Sequence, residues 1–161
     1  MGAFALLYIW SWTLCLTKNY KNYKNYLKIM MNEKYKQISY DITGAIYEVQ
    51  HNLGPGLLEK CYEKALVWEL KQRGMNAEPQ KEIRVTYKGV DLDINYFADI
   101  VVDNKAIIEL KAVKALDDAH RAQLINYLRL TGIEFGMLVN FYGKKAEIER
   151  YISTKDYTHE V

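Results

Sequence analysis

The chain predicts an α/β fold of three layers, a central mixed β-sheet flanked by helices, and three observations predict it. Apolar residues recur at helical spacing over about residues 33–51 and 57–73, the period switches to two between residues 82 and 111, and helical spacing returns over 116–131 before one more apolar strand. A helix placed between two strands of one sheet makes those strands parallel, while hairpin neighbours run antiparallel, so the sheet must be mixed. With 161 residues, half of them hydrophobic, the chain can bury a single core.

Each element has its own local reason. Ile38, Ile42, Ala45, Ile46 and Val49 form one apolar stripe, predicting a first helix from Glu33 to His51. Asn52-Leu-Gly-Pro-Gly56 breaks it, with Gly54 and Gly56 bracketing Pro55. A second helix is expected over Leu57–Arg73, its inner side carrying Leu58, Cys61, Tyr62, Ala65, Leu66 and Leu70, with Gly74 as its stop. Glu82–Tyr87 alternates and ends at Lys88-Gly89, the mark of a strand entering a hairpin. The next strand is expected over Asp91–Val102, a turn at Asp103-Asn104, and a third strand over Ala106–Lys111. Leu116–Thr131 then reads as the crossover helix, with Leu124, Tyr127 and Leu128 inward, Phe135–Asn140 as a buried strand, and Ile148–Ile152 as an edge strand.

Residues 1–30 differ from residues 31–161, which form the predicted domain. Ala3–Leu16 is an apolar run of 14 residues containing Trp10 and Trp12, followed by three copies of Lys-Asn-Tyr from Lys18 to Tyr26. That run is shorter than the ~20 residues a membrane-spanning helix needs, and it lacks the basic start and small-residue cleavage site of a signal peptide. The segment reads as an atypical extension: either a mis-assigned start, with the true one at Met30 or Met31, or a disordered arm. Without it no membrane role is expected, and a cytoplasmic location is. Cys15 and Cys61 match no disulfide framework, which suits a reducing compartment. His51, His120 and His159 are too scattered for a zinc site.

Charge narrows the function classes. Setting aside the four lysines of residues 1–30 leaves 18 basic against 20 acidic residues, a net of −2. A nucleic-acid role would therefore rest on a local patch or on metal ions, because the domain as a whole does not attract phosphates.

Asp99-Ile-Val-Val-Asp-Asn-Lys-Ala-Ile-Ile-Glu109-Leu-Lys111 carries the chemistry. Glu109 and Lys111 share one face of a strand. A two-residue hairpin loop would turn Asp99 to the opposite face, whereas a three-residue loop at Asp103-Asn104-Lys105, or one bulge, would oppose Asp99 to Glu109. In that odd register two carboxylates meet beside a lysine, a repulsive pair unless a cation lies between them, and Mg²⁺ is the natural occupant. In the other register Asp99 is a surface acid near a turn, and Glu109 and Lys111 are a solvated strand end.

These residues resemble the PD-(D/E)XK nuclease superfamily, in which a metal-binding Asp on one strand precedes (D/E)-x-K on the next. Gly56-Leu-Leu-Glu59-Lys-Cys-Tyr62 is similar to the G-x-x-E-x-x-Y signature of one small prokaryotic family, and Gln123-Leu-Ile-Asn-Tyr127 to the Q-x-x-x-Y motif of the RecB-type branch. The resemblance runs from Lys34 to Tyr151. Ala98 stands where the superfamily often has proline before the acid.

The resemblance implies a restriction-endonuclease-like fold and a metal-dependent nuclease. Asp99 and Glu109 would ligate Mg²⁺ or Mn²⁺ with the Leu110 carbonyl, Glu59 joining them directly or through water. Lys111 would orient or deprotonate the attacking water. Gln123 and Tyr127 would hold Lys111 or a phosphate, with Tyr62 and His120 in support. The implied partner is nucleic acid, DNA ahead of RNA, with a protein partner supplying target recognition. Two other readings stand beside it: a nuclease-like module that binds nucleic acid or protein without cutting, and, if residues 3–16 belong to the protein, a membrane-tethered accessory protein.

Overall fold

The structure, a computed structural model, describes residues 20–154 and 157–160, with side chains described over 33–153; the apolar run Ala3–Leu16 lies outside the described residues. It divides into two compact units, Met1–Gln37 and Ile38–Val161. In the first, the described residues are helical from Tyr20, with Lys36 3.3 Å from Glu33 and the Lys34 ammonium 5.0 Å from the Tyr35 ring centre. Helix α1, Tyr20–Leu53, therefore begins well before the expected Glu33 and takes in two whole Lys-Asn-Tyr copies and the Tyr20 that ends the first. Lys, Asn and Tyr carry no helix breaker, and the apolar stripe that marks a buried helix starts only at Ile38. Among the described residues, no helix is long and apolar enough to cross a membrane.

The second unit follows the predicted order. It comprises α2 (Glu59–Gln72), β1 (Ala77–Tyr87), β2 (Val90–Val102), β3 (Ala106–Lys111), α3 (Asp118–Thr131), β4 (Phe135–Asn140), β5 (Glu147–Thr154) and β6 (Tyr157–Glu160). The sheet order is β1-β2-β3-β4-β5-β6, antiparallel throughout except for the parallel pair β3/β4 that α3 connects. Strand β1 starts at Ala77, five residues before the expected Glu82. Pro79 hides this in the sequence, yet proline is tolerated because β1 is an edge strand. Strand β6 was not anticipated; it adds itself to β5 as a short second edge.

Helix α3 packs on one face of the sheet, where Leu124, Tyr127 and Leu128 meet Ile83, Val101, Ile107 and Leu138. The fit is close: a Cβ on Gly136 of β4 would lie 2.9 Å from Leu124 Cδ1. From α1, buried Ile42, Ala45, Ile46 and Val49 form the predicted stripe, and Ser39 and Thr43 accept hydrogen bonds from Arg150 of β5 at 2.9 Å each. Asp117 opens α3 as its N-cap and Gly132 closes it in the left-handed conformation, φ 71°.

Strands β1 and β2 are far longer than β3. Only Ile100–Val102 of β2 pair with β3, so the outer part of the β1–β2 hairpin is a two-stranded arm exposing Leu92, Ile94, Tyr96 and Phe97. Where the arm leaves the sheet, Gln80 takes φ 51°, a left-handed value that side chains other than glycine and asparagine resist.

Leu124→Ala should lower the unfolding free energy by about 2–5 kcal/mol, because it empties a fully buried position between α3 and β4. Urea titration followed by circular dichroism reads the change, and a loss under ~1 kcal/mol would contradict the packing described.

Candidate functional site

The loop between β2 and β3 is the three-residue one. Val102 pairs with Ala106, Val101 with Ile107 and Ile100 with Ile108, leaving Asp103, Asn104 and Lys105 unpaired. Asp103 and Asn104 both take φ 52°, the left-handed region these short polar residues tolerate. One step further along the same register sets Asp99 opposite Glu109. There the backbone ladder gives way to side chains: the Leu110 N–H donates to Asp99 Oδ2 at 2.8 Å, and the Asp99 N–H donates to Glu109 Oε1 at 3.3 Å.

Glu109 is fully buried, and its Oε2 has no hydrogen-bond partner. The Lys111 ammonium stands 3.6 Å from that oxygen with the lysine side chain only 12% exposed. Burial, and then the negative charge of Asp99, push the Glu109 carboxyl up to about 8, against the opposing pull of Lys111. A buried carboxylate oxygen without a donor is a position that a hard cation would satisfy.

The remaining predicted residues divide into those that join this pair and those occupied elsewhere. Glu59, in the first turn of α2, is within electrostatic reach of Lys111, Asp99, Glu63 and His120, and its pKa is raised, chiefly by burial. It does not complete a cage: among the described residues no three His, Cys, Asp or Glu side chains converge as a ready metal site. Gln123 Nε2 donates to the Tyr127 hydroxyl at 3.2 Å, and the Tyr127 phenol, raised by burial, also responds to the charges of Glu109 and Asp99. Those two residues therefore border the pair from α3.

His120 and Tyr62 have structural partners. The His120 Nδ1 accepts from the Asp117 N–H at 3.1 Å while Asp117 Oδ1 accepts from the His120 N–H at 3.0 Å, a capping box that starts α3. Tyr62 stacks on Phe141 with ring centres 4.5 Å apart, donates to the Gly54 carbonyl at 2.8 Å and accepts from the Leu57 N–H at 3.1 Å. It fastens the Gly-Pro-Gly turn to the start of α2, which places Glu59.

Two residues here were missed by the sequence reading. Buried Glu63 accepts from Lys60 Nζ at 2.7 Å and from Gln80 Nε2 at 2.6 Å, and the same Gln80 nitrogen lies 3.3 Å from Asp99 Oδ1. Gln80 thus bridges α2 to the first acid from the β1 side, and its left-handed backbone aims it there. The only sequence signal for Glu63 was its place one helical turn after Glu59. Gln80 gave none, since a left-handed residue within a strand cannot be read from residue type.

The site so assembled pairs an Asp and a Glu across adjacent strands of an α/β sheet, with a lysine two residues after the second acid. The chain belongs to the PD-(D/E)XK nuclease superfamily, whose family model matches residues 36–151. Its fold is the restriction-endonuclease-like α/β fold of that superfamily. Among solved structures it is similar to the crystal structure of SSO0001, at 22% identity and a TM-score of 0.49, over 78% of this chain and 61% of that one. The chain thus spans about three-fifths of the length of that protein. No curated protein matches it.

The buried acid gives the site a pH signature. Because the folded-state pKa of Glu109 lies above its usual 4.5, the folded state holds a proton that the unfolded chain has lost between those values. In EDTA, the contribution of this group to stability should therefore be fully present below about pH 4.5 and decline as pH rises towards 8. Glu109→Gln should abolish that decline, and chemical denaturation at pH 5 and 8 checks it. A second comparison isolates the strain at Gln80. Gln80→Gly and Gln80→Ala both remove the amide, but only Ala keeps a Cβ at φ 51°, so the Gly variant should be more stable by about 1 kcal/mol. Equal melting midpoints would contradict the left-handed conformation.

Proposed function

We propose that this protein is a metal-dependent nuclease hydrolysing phosphodiester bonds, with Mg²⁺ or Mn²⁺ as cofactor. The observation that carries the reading is the fully buried Glu109 Oε2, which accepts no hydrogen bond, beside Asp99 and Lys111. Superfamily membership and the typical divalent-metal dependence of its nucleases support the same chemistry. Asp99 and Glu109 would hold the ion with help from the Leu110 carbonyl, one or two carboxylates being what Mg²⁺ commonly uses, and Glu59 would act through water. The bound cation would acidify a water and polarise a phosphoryl oxygen.

The protein groups do the rest. Lys111 orients the attacking water or takes its proton, and its charge offsets the negative charge growing on the phosphate. The water oxygen forms the new P–O bond, the bond from phosphorus to the leaving sugar oxygen breaks, and that oxygen ends protonated. Gln80 holds Asp99, and Gln123 with Tyr127 borders the place where Lys111 works. The Gly56, Glu59 and Tyr62 pattern makes the prokaryotic GxxExxY family the branch we propose. DNA is the preferred substrate over RNA, acted on in the cytoplasm, with a protein partner supplying target recognition.

A non-cutting module is the alternative, and retention of Asp99, Glu109 and Lys111 together weighs against it. Cleavage of labelled single- and double-stranded DNA and RNA with Mg²⁺, Mn²⁺ or EDTA tests the proposal. Asp99→Ala and Glu109→Ala should abolish cleavage and Mn²⁺ binding by calorimetry, and Asp99→Asn, which keeps an acceptor for the Leu110 N–H, should melt no lower in EDTA. Lys111→Ala should spare Mn²⁺ binding and lose ~10²–10⁴ in rate. Unchanged cleavage in Asp99→Ala would end the assignment at this site.

A further inference from the structure

We propose that the loop from Phe141 to Ala146, between β4 and β5, together with Lys114 between β3 and α3, is the surface on which a nucleic-acid strand lies as it enters the site. The proposal rests on the nuclease reading and names where that substrate is held. Position comes first. Asn140 neighbours Lys111 in the parallel register, and the Phe141 N–H donates to the Lys111 carbonyl at 2.8 Å, so the loop starts where the proposed catalytic lysine ends its strand. Lys114 is brought to the same end. Buried Asn140 accepts from the Val113 N–H at 3.1 Å and donates to the Val113 carbonyl at 2.8 Å, tying the two connections together.

The loop is also held from below. Phe141 is fully buried against Tyr62, and Gln50 of α1 donates to the Gly143 carbonyl at 3.1 Å. A surface fixed in this way binds without first having to be ordered. What it offers is half-exposed Tyr142, with Lys144 and Lys145 as its only charged residues. Many cations elsewhere are matched within the chain, as in Lys81–Glu78, Arg84–Glu82 and Arg121–Glu149. Lys145 instead lies 5.6 Å from the ring centre of Tyr47, a contact that leaves its charge uncancelled. Lysines beside an exposed aromatic ring fit phosphates with a base stacked on the ring, and a domain with no net positive charge needs its cations gathered at the site.

Fluorescence anisotropy of labelled single- and double-stranded DNA, over a salt series in EDTA, tests this with the full chain. The double variant Lys144→Glu, Lys145→Glu should bind at least tenfold more weakly at low salt. The slope of log affinity against log salt should shrink by about 0.7 per lost phosphate contact on single strands and about 0.9 on duplex. Its melting midpoint should match wild type, and Lys88→Glu, on the hairpin arm, should leave binding unchanged. Tyr142→Ala should weaken single strands without changing the slope. Wild-type affinity and slope in the double variant, or equal weakening by Lys88→Glu, would overturn this surface while leaving the nuclease reading intact. A wild-type chain that neither binds nor cuts any nucleic acid would overturn both.

Discussion

The register between β2 and β3 is the constraint on which the site depends. Three residues in the connecting loop, two of them left-handed, set Ile100 against Ile108, and the step beyond brings Asp99 to Glu109. A slip of one residue would turn Asp99 to the other face and leave Glu109 buried beside a hydrophobic neighbour. Past Ile108 the strands part, and the Asp99 carboxylate takes the Leu110 N–H that a continued ladder would have used. The acid therefore both ends the pairing and marks the site.

Holding two carboxylates at the end of a buried strand raises the energy of the metal-free fold. Lys111 offsets part of that repulsion at 3.6 Å, while burial first and the charge of Asp99 second hold the Glu109 carboxyl above its usual range. Support comes from outside the β2–β3 hairpin. Gln80 reaches Asp99 from a distorted β1, and Glu63 anchors Gln80 from α2. Strain and like charge at one place are features that a fold retains for function and compensates elsewhere. Fold membership alone would not assign the chemistry, which rests on these particular side chains.

The parallel pair β3/β4 gives the site its direction. Their carboxyl ends release two connections on the same side, and open α/β sheets characteristically bind ligands beyond the carboxyl ends of their strands. Asn140 locks the two connections to each other, while Tyr62 joins the Phe141 loop to the Gly-Pro-Gly turn that begins α2. Residues far apart in the chain, near 54, 111 and 141, are thereby held as one end of the molecule. The β1–β2 arm, exposed on its outer half, contributes nothing to that clamp.

Local patterns in the sequence determined the helices on either side of a mixed sheet, the parallel pair, and a Glu-x-Lys face with an acid ten residues before it. Those follow from periodicities of 3.6 and two, and from the handedness of a crossover. Strand β3 and strand β4 were legible to the residue because both are short, apolar and bounded by turn residues or a charge. Strand β1 was not, since Pro79 is a breaker unless the strand lies at an edge, and edge position belongs to the whole sheet. Tertiary structure alone decided the odd register, through two left-handed residues whose conformation no residue type dictates. It also gave Tyr62 and His120 their anchoring hydrogen bonds, and linked Gln80 and Glu63 to Asp99. Hydrogen bonds across 17 or 19 residues depend on how β1 crosses α2 and β2, and no local period encodes that crossing.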